Sequence, residues 1–528
     1  MKKRIKILSS IMAAALFSVP LFGGTGCGPA AGKEGVLSIA AFEGGNGREY
    51  ADALAQAFGK YHPEIEFDVS CDPTVPESAQ TALEANSSSV DVYMLNGLNI
   101  GLLCENSDGA LAPLNDVYGS LPKTDREEGS KTIEQLIRPD ILSSMKYGGD
   151  REPYAGNYYA LPTGSNPLGL VLNTTCLDSV LGVGNWEEPR TSNELLELCY
   201  KIQLADKTVK IDTEEYTVYP FIYAGNAVEY WRYMWYVWTA QYDGAEAFQE
   251  AQSCRIDGKY AQEAYFSAGK EKALRVLEAL LTRANDYCHP DSMTNKHTAS
   301  QKYFMQGRAA MMSVGDWIEN ETGTAYKPDL RLIKTPVLSD VADLIGLTGT
   351  AAEKDAALSD IVKKIDEGAT SDARLTQENF KKLKEARSMA FTLANSQIAV
   401  IPANSVNMDM AKEFLRFMYS REGFEVFLRS TKGSRLPVED YAIPADFESS
   451  MTVFGKSIKA IAESNPTYIF TSTSDPIRFR AGLGEFLSNE KPEIALGKKT
   501  NARTAAQYLE TEKTLMASQW AAFMSQVS

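Results

Sequence analysis

A chain of 528 residues with 44% hydrophobic and 23% charged side chains has ordinary globular composition and ample length for more than one core. Its formal net charge is −16, even with Lys2, Lys3, Arg4 and Lys6 among the first six positions. So acidic a surface repels polyphosphate and argues against a nucleic-acid partner, and it disfavours a highly anionic ligand unless a site supplies its own arginines.

The four bases precede an apolar run from Ile7 to Phe22 and then Gly24-Thr25-Gly26-Cys27. A basic start, an apolar centre and small residues before a cut describe a secretory signal over residues 1–26. The run contains Ser9, Ser10, Ser18 and Pro20 and is short of the roughly 20 residues that a spanning helix needs. Thr25, Gly26 and Cys27 resemble the bacterial lipobox, in which the chain is cut before a cysteine that is then diacylated. Gly24 stands where leucine is usual, and Gly24-Thr25-Gly26 also suits the general signal peptidase. Either cut leaves Cys27 first, followed by a flexible tether over residues 27–35.

Val36 to Phe42 is a strand candidate, closed by the turn-rich Glu43-Gly44-Gly45-Asn46-Gly47. Tyr50, Leu54, Ala57, Phe58 and Tyr61 recur at helical spacing up to His62-Pro63. Ile65, Phe67 and Val69 predict a second strand, Ser78 to Ala85 a helix, and Val90 to Leu95 a third strand. Strand, helix, strand, helix, strand is the pattern of an open parallel α/β sheet, whose ligands sit beyond the carboxyl ends of the strands. Those ends are the Glu43–Gly47 and Asn96–Asn99 loops. Further helices are predicted around Leu274–Ala284, around Phe414–Met418 and from Thr500 to Gln526. The charged stretch between Ala351 and Arg387 has acids and bases three or four apart and reads as a solvated surface insertion.

The glycine loop lacks the third glycine of a dinucleotide fingerprint, since Tyr50 occupies that position, and no Walker lysine follows. A tight turn with exposed backbone amides is the better reading. With three histidines and neither H-E-x-x-H nor G-x-S-x-G, nothing singles out a catalytic group, a metal site or a cofactor. Beyond Cys27, the cysteines at 71, 104, 176, 199, 254 and 288 are even in number, which permits three disulfides, but they are scattered and several suit a core. The densest chemistry is the aromatic cluster Tyr219, Tyr223, Tyr230, Trp231, Tyr233, Trp235, Tyr236 and Trp238. About half of it is expected in a core stripe; the rest offers a flat wall on which a sugar ring can stack.

Seven segments in order resemble the extracellular solute-binding proteins of carbohydrate ABC importers, the maltose-binding-protein-like family 1. They are the opening strand–helix–strand, Val90-Asp91-Val92-Tyr93, Tyr159-Ala160-Leu161-Pro162 with Leu170-Val171-Leu172-Asn173, and Pro189 to Leu195. Phe304-Met305-Gln306-Gly307-Arg308-Ala309-Ala310-Met311 with Gly315-Asp316-Trp317, then Ala411 to Met418, and Gly433 to Val438 complete the series. The resemblance implies a two-lobed α/β fold of the periplasmic-binding-protein type II class with a hinge. It implies lobe 1 at residues 36–165 and 315–402 and lobe 2 at residues 166–314 and 403–528. Carried over by position, it points to Glu43, Asn46, Asn96, Tyr223, Trp231, Trp235, Asp316 and Trp317 as ligand-binding residues. The implied protein is a monomer tethered through Cys27 to the outer face of the cell membrane. It captures a sugar or oligosaccharide for an ABC permease, without catalysis, cofactor or metal. A secreted carbohydrate-active enzyme, or a binder of peptides or other polar solutes, are the alternatives. Replacing Cys27→Ser is expected to release the mature protein from membranes, read by fractionation; a wild-type chain already soluble in the medium would sink the tether.

Overall fold

The computed structural model describes residues 32–106, 109–149, 151–226, 230–323, 325–471, 475 and 487–527. The signal, Cys27 and the tether up to Ala31 lie outside the described residues. The elements that build the two sheets and their cover begin with β1 (Val36–Phe42), α1 (Glu49–Gly59), β2 (Glu66–Asp72), α2 (Val75–Glu84), β3 (Val92–Asn96), β4 (Leu161–Pro162) and β5 (Gly169–Asn173). Next come α3 (Ser192–Ala205), β6 (Tyr219–Phe221), α4 (Arg232–Asp243), α5 (Ala268–Leu281), β7 (Ala309–Val314), α6 (Ile318–Thr322) and β8 (Leu330–Leu332). The last are α7 (Ala351–Asp366), α8 (Gln377–Ser388), β9 (Gln397–Val400), α9 (Met408–Met418), α10 (Arg421–Ser430), α11 (Val453–Glu463) and α12 (Ala505–Val527).

The first sheet has the order β2-β1-β3-β9-β4. β1 runs parallel to both neighbours, with Ile39 opposite Val69 on one side and Val92 on the other, whereas β9 returns antiparallel to β3. One carboxylate pins its entry edge. Asp91 is 1% exposed and accepts from the Ser38 amide at 2.9 Å, the Ser38 hydroxyl at 2.8 Å, Ser405 at 2.7 Å and Asn407 at 3.1 Å. Four donors satisfy a buried charge that would otherwise be costly, and they tie β1 and β3 to a loop more than 300 residues away.

The second sheet has the order β8-β5-β7-β6. Every residue of β5 and β7 is buried, the near-continuous apolar pattern of strands covered on both faces. The chain passes between the sheets three times: from β4 to β5, from β8 to β9, and from α10 to α11. These crossings bond to one another. Leu168 donates from its backbone to the Phe391 carbonyl at 2.9 Å, and Asn166 and Ser165 donate to the Gly433 and Arg435 carbonyls at 3.1 and 3.2 Å. Two lobes on a three-stranded hinge is the type II architecture.

Two stretches differ from the expected lobe boundaries: the one carrying Trp317, β8, α7 and α8, expected with the first lobe, and the one carrying α9 and α10, expected with the second. β8, expected with the first lobe, pairs with β5 because Leu330 and Leu332 bury their side chains on that sheet. α9 and α10, expected with the second, pack on α1 of the first, with Phe58 5.5 and 5.4 Å from Phe414 and Phe417, and Tyr50 5.9 Å from Phe427. The charged stretch is likewise more than a solvated insertion. α7 and α8 bury Leu358, Ile361, Val362, Phe380 and Leu383, and the Arg387 guanidinium closes the pair onto Asp366 at 2.8 Å. The frequent acids and bases hid a second, apolar period on the opposite faces. The permitted disulfides are not formed at Cys71, Cys104, Cys176, Cys199 or Cys288, which carry free thiols. Burial pushes Cys104, Cys176 and Cys288 up to about 12, as for small core residues.

One buried histidine makes stability depend on pH. His289 is 3% exposed, and its Nε2 lies 2.9 Å from the Arg308 guanidinium, which has only donors, so Nε2 must accept. Burial first, and then the Arg308 charge, push its pKa down to about 4. An unfolded histidine titrates near ~6.5, so below that pH the unfolded chain takes a proton that the fold refuses. Stability from this group is therefore complete above pH ~6.5 and is lost towards pH ~4, by about 3 kcal/mol in all. Urea unfolding between pH 7 and 4 is expected to show that loss, and His289→Gln to flatten it.

Candidate ligand-binding site

A cavity of about 370 Å³ opens at the junction of the lobes. From the first sheet it receives the turn after β1. The Gly47 amide donates to the Gly44 carbonyl at 2.8 Å, with Gly47 at φ +71°, which projects Asn46. The end of β3 contributes Asn96 and Gly97, and the Gly97 amide is held by the Ser396 carbonyl at 2.8 Å. Thr163 and Gln397 line the cavity from the first and second crossings, joined by a 2.7 Å backbone bond.

The other wall is aromatic. β7 ends in Gly315-Asp316-Trp317, and the indole of Trp317 stands over the turn of the first lobe. A Cβ added at Gly45 would come within 1.9 Å of Trp317 Cβ, and one at Gly315 within 2.3 Å of its ring, so both glycines make room for this one side chain. Tyr230 lies 6.0 Å from the indole and accepts its N–H at 3.3 Å; Tyr233 meets it edge-on at 6.4 Å. Burial pushes the Tyr230 phenol well above its ordinary range, so it remains a neutral hydroxyl.

Charged groups lie at one end, where Arg232, His297 and Glu321 line the cavity. Burial raises the Glu321 pKa, opposed by a 2.7 Å bond from Gln301, with the nearby Asp316 charge raising it further. Burial, then Lys296, lowers the His297 pKa, and its Nδ1 has no hydrogen-bond partner among the described residues. Trp317, Tyr230 and Tyr233 give apolar faces, and Asn46, Asn96, Thr163 and Gln397 give hydrogen bonds. The arrangement suits a ligand with both apolar surface and many polar atoms.

Of the residues expected from the sequence, the structure brings Asn46, Asn96 and Trp317 together here. Glu43 does not line the cavity; its amide bonds the Asp72 carbonyl at 3.2 Å, beside β2. Asp316 does not line the cavity either; its carboxylate accepts from Asn166 at 2.6 Å and Ser434 at 3.0 Å. Tyr223, Trp231 and Trp235 are 4%, 2% and 4% exposed inside the second lobe, where α4 is packed against the second sheet, α5 and α8 and is buried on every side from Tyr233 to Gln241. Tyr230 and Tyr233 take the place expected of those tryptophans. Both were visible in the aromatic cluster, three apart on one helix face, but only the fold tells the cavity-facing side from the core-facing one. Thr163, directly after the Tyr-Ala-Leu-Pro segment, carried a signal too. Arg232, His297 and Glu321 carried none.

The sequence profile described as bacterial extracellular solute-binding protein matches residues 44–423, well over half of the chain. The chain belongs to that family. A sequence comparison with curated proteins returns no match. Solved structures with the same fold include a probable secreted solute-binding lipoprotein from Streptomyces coelicolor, 14% identical with a TM-score of 0.56, covering 92% of this chain and 98% of that one. A solute-binding protein solved with raffinose is 14% identical, TM-score 0.54, over 91% and 99% of the two chains. An ABC transporter solute-binding protein from Thermotoga lettingae bound to α-D-tagatose is 15% identical, TM-score 0.56, over 91% and 98%.

In this solute-binding protein the two sets of tryptophans separate by experiment. Trp235→Ala is expected to cost about 3–5 kcal/mol of stability, measured by denaturant unfolding, with little change in ligand affinity. Trp317→Ala is expected to weaken ligand binding about 10- to 100-fold with a smaller loss of stability. A Trp317→Ala protein that binds normally would reduce the indole to hinge packing.

Proposed function

We propose that this protein captures a sugar or oligosaccharide in the cleft between its lobes and presents it to an ABC transporter permease, without chemical change. The observation that carries the reading is the pairing of an aromatic corner from one lobe with amide and hydroxyl groups from the other. Sugar rings have an apolar C–H face and a hydroxyl rim, so stacking on Trp317, Tyr230 and Tyr233 supplies affinity and bonds to Asn46, Asn96, Thr163 and Gln397 supply specificity. Contacts to both walls favour lobe closure over the ligand. The basic-apolar-cysteine start supports export and a lipid tether at Cys27 on the outer face of the cell membrane, and the Streptomyces coelicolor protein of the same fold is a probable secreted lipoprotein.

A glycoside hydrolase needs two carboxylates facing across the bond it cuts. Among the described residues lining the cavity Glu321 is the only carboxylate, which favours binding over turnover. Titrating the purified protein with a glycan panel, read by tryptophan fluorescence, is expected to give saturable quenching or enhancement with at least one sugar. A response to peptides or polyamines but to no sugar would overturn the carbohydrate reading, and release of reducing ends would overturn the binding-only one.

A further inference from the structure

A second and larger cavity, of about 740 Å³, lies on the other side of α6 and shares no lining residue with the first. Trp317 and Glu321 face the cleft, whereas Asp316, Glu319 and Asn320 face this cavity. Its chemistry differs too. Tyr326, Phe447, Met451, Phe454 and Ile458 give it an apolar body, and Lys327, Lys432 and Arg435 approach from its edges.

In a chain with 53 lysines and arginines against 69 acids, a base readily finds a partner. None of these three takes part in an ion pair among the described residues. The fourth base of the lining, Lys459, is held by Glu448 at 3.1 Å and Glu463 at 2.6 Å, and the Glu463 charge also reaches Arg435 without an ion pair. The acids in the wall are otherwise engaged: Asp316 accepts from Asn166 and Ser434, and Glu319 from Thr452 at 2.9 Å, while Asp329 is exposed at the rim. Arg435 is half-buried, donates no side-chain hydrogen bond to a described residue, and has its pKa pushed down by burial, although a guanidinium stays charged. A weakly hydrated, forked cation beside aromatic and thioether surface matches a carboxylate or sulfonate on an apolar body.

We propose that this cavity is a second binding site, for an organic anion with an aromatic or aliphatic body, its acid group on Arg435 with Lys432 and Lys327 and its body among Phe447, Met451 and Phe454. The site is independent of the sugar reading of the cleft. Because α6 stands between the two cavities, giving Glu319 and Asn320 to this one and Glu321 to the cleft, an occupant here shifts affinity in the cleft, and the cleft ligand shifts this one by the same factor.

Fluorescence titration of the mature protein with 8-anilino-1-naphthalenesulfonate tests it, with uncharged N-phenyl-1-naphthylamine as the control. One saturable site per chain is expected for the sulfonate, with much weaker binding of the neutral dye. Arg435→Gln and Lys432→Gln are each expected to weaken the sulfonate about tenfold. Lys432 is exposed, so its variant reports on charge even if the arginine variant folds poorly. Trp317→Ala, which acts on the cleft, is expected to leave dye binding in place. Absence of saturable binding, equal binding of the two dyes, indifference to Lys432→Gln, or loss of the site in Trp317→Ala would each overturn the proposal.

Discussion

The junction beside the cleft is held together by one largely buried carboxylate. Asp316 sits where β7 ends and accepts from Asn166, on the first crossing between the lobes, and from Ser434, on the third. The same Ser434 hydroxyl lies 2.8 Å from the side-chain amide of Asn46, at the mouth of the first sheet. Burial raises the Asp316 pKa, and the two donors pull it back down. The carboxylate therefore buries stably only while both crossings keep their places. That requirement makes the junction specific: a charge in such a setting penalises any arrangement that removes a donor. It also explains why Gly315 and Asp316 precede Trp317. One neighbour leaves room for the indole and the other anchors the backbone that aims it.

The first lobe was readable residue by residue because its chemistry is local. β1 matches its expected span, and α1 its apolar spacing, since period-two and period-3.6 patterns follow directly from which face is covered. α2 begins three residues before its expected start, with a proline in its first turn, where a missing amide costs nothing. The turn of Gly44 to Gly47 was legible for the same reason. Positive φ at Gly47 and the short bond back to Gly44 belong to four consecutive residues.

What the sequence withheld is what depends on distant partners. α4 carries aromatic side chains all round, so no period says which side meets the cleft. The answer lies in the tertiary packing of α4, which buries Trp235 and Trp238, the latter with its N–H on the Pro336 carbonyl, and leaves Tyr230 and Tyr233 against Trp317. α7 and α8 misled in the opposite direction: their surface charges are what a reader sees, and their buried leucines and isoleucines are what the fold uses. The lobe boundaries failed where short strands and helices change sheets, because membership there is decided by three residues of β8 and by the aromatic face of α9, neither of which has a local mark.

The division of labour between the walls of the cleft has a mechanical consequence. The aromatic corner comes from one lobe and most of the amides and hydroxyls from the other, so a ligand touching only one wall gains only half of what the site offers. A ligand shifts a two-state equilibrium by its differential affinity for the two states, and a split site places nearly all of that difference in the closed form. Selectivity and closure then become one property. On the proposed reading, a solute that stacks on Trp317 but does not reach Asn46 and Asn96 would bind weakly and leave the lobes as they were, and only one that bridges the junction would draw them together over itself.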